Sequence, residues 1–341
     1  MNEIFLHGLG AVSPAGWGVG ALREALAQGE PLATKDLARP GWSKPLRVRQ
    51  VPPLTTRPAF VTHARLRRAS PISQYAVAAA LEALGENPGD TSRVGVIFCV
   101  MSGCINYSKR FYDEAWRNPA TASPLVFPET VFNAPSSHLA ALLGSTARNY
   151  TFVGDQGAFL HGLALAADWL LAGVVDGCLV VGAEELDWLG ADAFHHFTRE
   201  LIPSEGAGAL LLTTKAQSGN LKAETPVQLA GVTDAQTFSQ TQSIAVAAQK
   251  MRAELPASAA DLLLCDGRQN LPRFDAAETA AWRDWSGARL SPKQMLGEGS
   301  AAASAWQCVA AVDALRANRY PAAVVSVVGS NQQAIGAHFT A

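Results

Sequence analysis

Three sets of residues in this chain carry side chains that could do chemistry: five cysteines, seven histidines, and the polar residues on tight turns ahead of apolar helices. Cys99, Cys104, Cys178, Cys265 and Cys308 are scattered, with no CxxC and no Cys/His pair at metal-ligand spacing; this points to a reducing compartment rather than a disulfide scaffold. Cys99, Cys178 and Cys265 lie in or at the end of apolar runs and read as small buried hydrophobes. Cys104 follows a glycine in a post-strand loop, which makes it the candidate for a reactive thiol. His138, His161 and the pair His195-His196 have no partner at i+3 or i+4 with a carboxylate base, so metal chemistry is not supported. The turn Gly154-Asp155-Gln156-Gly157 delivers one side chain to the start of an apolar helix, where free N–H groups and the helix dipole favour a thiolate, an oxyanion or a carbonyl oxygen. A nucleophile would belong there, and Gln156 is not one.

The elements that must hold that turn form a βαβ unit. Residues 149–153 are β-branched and aromatic, which predicts a strand. Over Ala158 to Ala172, Phe159, Leu163, Ala166 and Leu170 fall on one helical stripe, and Gly173 is placed to end the helix in the left-handed region. A second strand follows over Val174 to Leu186. Upstream, Ile4 to Val12 reads as a buried strand, Val19 to Gln28 as a helix, Ile72 to Leu84 as a helix and Arg93 to Val100 as a strand. The lone Gly8-Leu9-Gly10 lacks the acidic residue and helix spacing of a dinucleotide site. Ala33 to Thr62 is Pro-rich and reads as an irregular surface excursion. From Pro226 the strand–helix–strand rhythm returns over Val227 to Val232, Gln242 to Glu254, Asp261 to Cys265, Ser300 to Arg316 and Ala323 to Val328. That is a weak internal duplication of two α/β halves.

Composition narrows the function classes. With 341 residues and 48% hydrophobic content the chain can bury a large core, and at ~150 residues per domain it reads as about two halves. Net charge is −2 and the pI is near 6.4, with no basic cluster longer than Arg65 to Arg68, so a nucleic-acid partner is not expected. The first residues lack a basic and an apolar export region, and the most apolar stretch is broken by His161, Asp168 and Asp176. Neither export nor membrane spanning is expected, and cytoplasm is the default.

The stretch around Gln156 resembles the nucleophile elbow of β-ketoacyl synthases of the thiolase fold, whose pattern is close to T-A-C-S-S-G-L-H-A-I, a helix with a Gly-rich end, and G-G-A-E. Aligned through His161 and Gly182-Ala183-Glu184, the family's cysteine falls on Gln156. Four further stretches are similar to the family. They are the opening strand with Ser13-Pro14, Leu66 to Ser70 before a long helix, Ser123 to Gly144 with Asn133-Ala134-Pro135, and Glu205 to Gly208. The family's first histidine lies in N-A-H-G-T-G-T-P-x-x-D-x-x-E and, aligned on Pro272, Asp275 and Glu278, falls on Gly267. Its second, in K-S-x-x-G-H-x-x-G-A-A-G, falls on Glu298, with Lys293 matching the lysine. Glu298 beside a helix start reads as a capping carboxylate. Val327 to Asn331 stands where active members have G-F-G-G-x-N, and the spacer between Glu184 and Glu205 is shorter than in most of them.

The resemblance implies an α/β chain of the thiolase fold, layered αβαβα from two similar α/β halves, residues 1–225 and 226–341. It implies a degenerate triad Gln156, Gly267 and Glu298, no cofactor, and a role like that of the catalytically silent chain-length-factor subunits. Such a subunit pairs as a heterodimer with an active ketosynthase and shapes the acyl tunnel in a carrier-protein-dependent pathway for a polyketide, aryl polyene or fatty-acid-like chain. The acyl carrier protein of the complex is then a second partner. The resemblance places Phe127, Thr130, Val131, Phe132 and Asn133 at the interface and tunnel, whereas plain residue statistics read Phe127 and Phe132 as core. Either strand Cys178 to Val181 or its neighbour Tyr150 to Val153 is expected to expose an apolar edge. Two rivals remain: a malonyl-carrier-protein decarboxylase, a class that carries Gln at the cysteine position but keeps both histidines, and a homodimeric acyl-binding homologue.

Overall fold

The strands of this chain read as continuous apolar runs rather than as alternating ones, as strands covered on both faces do. In a computed structural model, which describes residues 3–56, 58–214, 226–257, 259–329 and 332–341, ten of them form the body of a twelve-stranded sheet, completed by two short strands at Gly16–Trp17 and Gln236–Thr237. The first five are β1 (Phe5–Ser13), β2 (Val94–Val100), β3 (Asn149–Val153), β4 (Gly177–Glu184) and β5 (Gly206–Thr213). The second five are β6 (Val227–Val232), β7 (Leu263–Cys265), β8 (Ala288–Leu290), β9 (Ala322–Val328) and β10 (Gln333–Thr340).

The spatial order is β3-β2-β4-β5-β1 in the first set and β8-β7-β9-β10-β6 in the second, joined where β1 pairs with β6 through Phe5 opposite Gln228 and Leu6 opposite Val227. Strand for strand the two sets have the same order and the same pattern of parallel and antiparallel pairing. The fold is therefore a duplication of one α/β unit. The expected boundary between residues 225 and 226 falls at the end of segment 215–225, which lies outside the described residues.

Nine helices are used below: α1 (Val19–Gln28), α2 (Pro71–Leu84), α3 (Ile105–Arg117), α4 (Ala134–Leu143), α5 (Ala158–Leu171), α6 (Trp188–Phe197), α7 (Ile244–Ala253), α8 (Pro272–Ala281) and α9 (Ala301–Arg316). In β4, Cys178 and Val180 face the core that holds α5 and α9, while Leu179, Val181 and Ala183 face the core under α2 and α4. A third core packs α7 and α8 against Val324 and Ala334 of the second set. The layers thus run α2/α4, sheet, α5/α9, sheet, α7/α8. Of the 16 residues of α9, 15 are buried, as a helix apolar on all sides requires.

Gly8 and Gly10 have a packing reason: a Cβ there would come within 1.6 and 1.8 Å of the carbonyl oxygens of Ala83 and Ala79. They let α2 lie directly on β1, which gives this Gly-x-Gly a packing role.

Several expectations need correction. β4, with Cys178 to Val181, is an interior strand between β2 and β5; of the two candidates it is β3 that forms an edge, where Tyr150 and Val153 are about half exposed. Cys104 is no loop thiol: it is buried at the start of α3, its Sγ directed at the Val131 carbonyl, and burial beside Glu185, Glu129 and Glu184 pushes its titration far up. Residues 33–62 contain a hairpin of Lys35–Leu37 with Leu46–Val48 that packs on α6. Phe127 and Phe132 are exposed, at 55% and 44%, and do not belong to the core.

Candidate functional site

The turn between β3 and α5 is sealed. Asp155 and Gln156 are each 1% exposed, and the buried Gly157 precedes the first residue of α5. Asp155 Oδ1 accepts the Gly157 N–H at 3.0 Å and the Gln333 Nε2–H at 3.0 Å, and Gln333 Oε1 accepts from His161 Nε2 at 2.7 Å. The elbow turn, α5 and the first residue of β10 are thereby tied together.

Gly267 and Glu298, both buried, lie on either side of Lys293. Gly267 follows β7, and its N–H is shared between the two Glu278 oxygens at 3.2 and 3.1 Å. A Cβ on Gly267 would stand 3.3 Å from Glu278 Oε2 and 3.8 Å from Lys293 Nζ. Lys293 Nζ in turn reaches Glu298 Oε2 at 2.8 Å, with Gln269 Nε2 on the same oxygen at 3.1 Å. Glu298 Oε1 accepts the Ser300 N–H at 2.7 Å. Ser300 is the residue before α9 and holds φ +47°, a region that non-glycine residues seldom occupy. The Glu298 backbone is clipped on both sides, donating to the Ile202 carbonyl at 2.9 Å and accepting from the Ser204 N–H at 2.8 Å. Glu298, expected to cap the helix, instead holds the N–H of Ser300 just before it and pairs with Lys293.

The groups around this pair are ionisable and buried. Burial raises the Glu278 carboxyl to about 8, reinforced by Asp266 and opposed by the Ser326 hydroxyl, the Gly267 N–H and Lys293. Asp266, fully buried, is held by Arg268, Arg289 and Ser291. At the end of β4, burial likewise raises Glu184 to about 8 against the N–H groups of Met101 and Ser102. Neighbouring Glu185 fixes Ser70, Ile72 and Asn106, so the two glutamates pin the start of α2 and α3 to the sheet. The sites of Gln156, Gly267 and Glu298 thus hold extensive polar networks, in which Asp155 Oδ2 and Ser204 Oγ are buried without a partner, and carry no thiol and no imidazole in place of the family's cysteine and two histidines. Among the described residues no group of His, Cys, Asp or Glu could hold a metal ion, and no helix is long and apolar enough to cross a membrane.

The segment expected at an interface lies elsewhere on the surface. Phe127, Val131, Phe132 and Asn133 are exposed and Thr130 is partly so. The Phe127 ring lies 5.2 Å from that of Phe111 on α3, and the Phe132 ring covers the Gly103 backbone. Ser108 of α3 donates to the Thr130 carbonyl at 3.2 Å. Glu129 binds His138 Nε2 at 2.9 Å, and Asn149 of β3 donates to the Ser136 carbonyl at 3.0 Å, so segment, α4 and edge strand form one connected side. Tyr112, Trp116 and Leu125 extend its apolar surface, at 65%, 79% and 65% exposure. Asp155, Gln333 and Gln269 were not singled out from sequence. A charged residue inside an otherwise small-residue turn was the one available signal, and nothing marks its bond to Gln333, 178 residues away.

A family model described as "Beta-ketoacyl synthase, N-terminal domain" matches residues 1–218. No curated protein matches the chain. Among solved structures, the ishigamide ketosynthase/chain length factor is similar at 18% identity over 99% of each chain, with a TM-score of 0.78. AntDE:AntF, a type II polyketide acyl-carrier protein in complex with its ketosynthase, aligns over 100% of each chain at 17% identity with a TM-score of 0.80. The ketosynthase ApeO in complex with its chain length factor ApeC, from Xenorhabdus doucetiae, covers 99% of this chain and 98% of that one at 14% identity, with a TM-score of 0.77. At these identities the likeness is one of fold, and it spans both α/β units. With the family model matching nearly two thirds of the residues, the chain belongs to the β-ketoacyl synthase family and has its thiolase fold.

Proposed function

We propose that this chain is a catalytically silent, chain-length-factor-like subunit that pairs with an active ketosynthase and shapes the acyl tunnel during carrier-protein-dependent chain elongation. The observation that carries the reading is the filling of the three reactive positions: Gln156 buried at the elbow, Gly267 against Glu278, and Glu298 locked to Lys293, Gln269 and Ser300. Condensation by this family needs a thiolate to carry the acyl group and imidazoles to stabilise the enolate and the thioester oxyanion. Each missing general base or oxyanion donor costs roughly 10²- to 10⁴-fold, and no thiol–imidazole pair remains to run a residual reaction. The bare edge of β3 and the exposed aromatics beside it support a partner. That three similar structures are named as ketosynthase complexes, two with a chain length factor and one with an acyl-carrier protein, supports the identity of that partner and of the carrier. A cytoplasmic setting goes with this reading.

The test is to incubate the purified chain with malonyl-carrier protein, alone and co-purified with an intact ketosynthase. Alone it should gain no acyl mass and release no carbon dioxide above background, and Gln156→Cys should not restore condensation. The pair should elongate. Decarboxylation by the chain alone would favour the decarboxylase reading, and a stable self-pair that refuses a ketosynthase would favour the homodimer.

A further inference from the structure

The elbow is held shut, beyond having lost its nucleophile. We infer that Asp155, Gln333 and His161 form a clasp that closes the turn around Gln156, so that no acyl thioester can reach this position even if a thiol stood there. The inference is independent of who the partner is.

Four positions agree on it. Asp155 turns inward, with Oδ1 holding both the Gly157 N–H and the Gln333 amide. Gln333 is fixed at its other end by His161, which must carry its proton on Nε2 to donate at 2.7 Å. The two remaining positions supply room. A Cβ on Gly157 would lie 2.6 Å from Gln333 Nε2, and a Cβ on Gly329 would lie 2.1 Å from Asp155 Oδ2. Position 157 is where the T-A-C-S-S-G pattern has serine, whose side chain would displace the Gln333 amide. A small residue has therefore been exchanged for a carboxylate at 155 and a larger one for glycine at 157, and the two changes fit each other. The clasp residues come from the turn, α5 and β10, and the Gln333–Asp155 bond is buried while the His161–Gln333 bond is partly so, so opening the clasp means breaking at least one bond shielded from water.

Thiol accessibility tests the clasp directly, because all five native cysteines are buried and give little background. In the full chain, Gln156→Cys should react with iodoacetamide orders of magnitude more slowly than the same variant unfolded in urea. Adding Gln333→Ala should speed labelling roughly five- to tenfold, the change that losing about one net hydrogen bond makes in a local opening equilibrium. Adding His161→Phe, which keeps the ring packed near Phe152 but frees Gln333, should give a smaller increase. The thermal midpoint is read alongside, so that a gain in labelling counts only in a folded protein. If Gln333→Ala does not fold, His161→Phe decides. Folded Gln156→Cys that labels as fast as the unfolded chain, or folded second variants that leave its rate unchanged, would overturn the inference.

Discussion

The interior face of this protein and its outer flank treat unsatisfied groups in opposite ways. Around Gln156 and Glu298 most polar atoms have partners within the chain, and charges are matched in pairs such as Lys293 with Glu298. Along β3, α3 and the segment from Phe127 to Asn133, apolar side chains stand in water and one row of strand N–H and C=O groups has no neighbour. A surface of that kind is costly for an isolated chain and is retained where something covers it. On the proposed reading, the work of the molecule lies on its flank and the positions around Gln156, Gly267 and Glu298 serve as structural filling.

The comparison breaks most visibly at the buried ion pair. Glu298→Ala leaves Lys293 buried without its partner, and should destabilise the fold by about 3–5 kcal/mol, read as a fall of roughly 5 °C in the thermal midpoint. Adding Lys293→Met should return most of that loss; a single variant as stable as the parent would show that the site is not filled in this way. On the flank, Val153→Arg should leave the thermal midpoint of the chain nearly unchanged but weaken association with a ketosynthase at least ~10-fold, as sedimentation of the mixed subunits would show. Phe132→Ala and Thr130→Trp should shift the product lengths made by the pair while the partner's acylation persists, and identical product profiles would remove this segment from the tunnel.

Stability should also depend on pH. Glu184 and Glu278 hold their protons up to about 8 when folded, against about 4.5 when unfolded. The folded state therefore binds more protons, and their contribution is fully present at acid pH and is lost as pH rises from about 4.5 through about 8. Urea midpoints should fall between pH 6 and pH 9, and Glu278→Gln should flatten that slope.

Much of this fold was legible in the sequence where one face or one period dominated. The limits of β3 and β6 and the left-handed Gly173 follow from residue type alone, and α5 ends one residue short of the expected Ala172. β10 was not legible, because Gln333 to Thr340 mixes small and polar residues and becomes a strand by pairing with β9 and β6. Nor was α3, whose sequence is polar overall and buries no residue. Spacing within the family's motifs pointed to Gly267 and Glu298, and the structure joins them through Lys293. The clasp was out of reach, since its bond from Asp155 to Gln333 spans the whole second unit.

The long reach of β1 has a consequence for the birth of the protein. β1 ends at Ser13, but its main partner β5 begins at Gly206 and its other partner β6 at Val227. At a ribosomal rate of about 5–20 residues per second, the first strand emerges roughly 10–40 seconds before either of its long partners, with only the short strand Gly16–Trp17 at hand to pair with its end. The middle layer waits longer still, because α9 enters only after Arg316 has been made. During that interval the nascent chain carries the inner faces of β2 and β4 uncovered. Yield in a heterologous host should therefore respond to slower translation or added chaperone more than to any change in the mature surface.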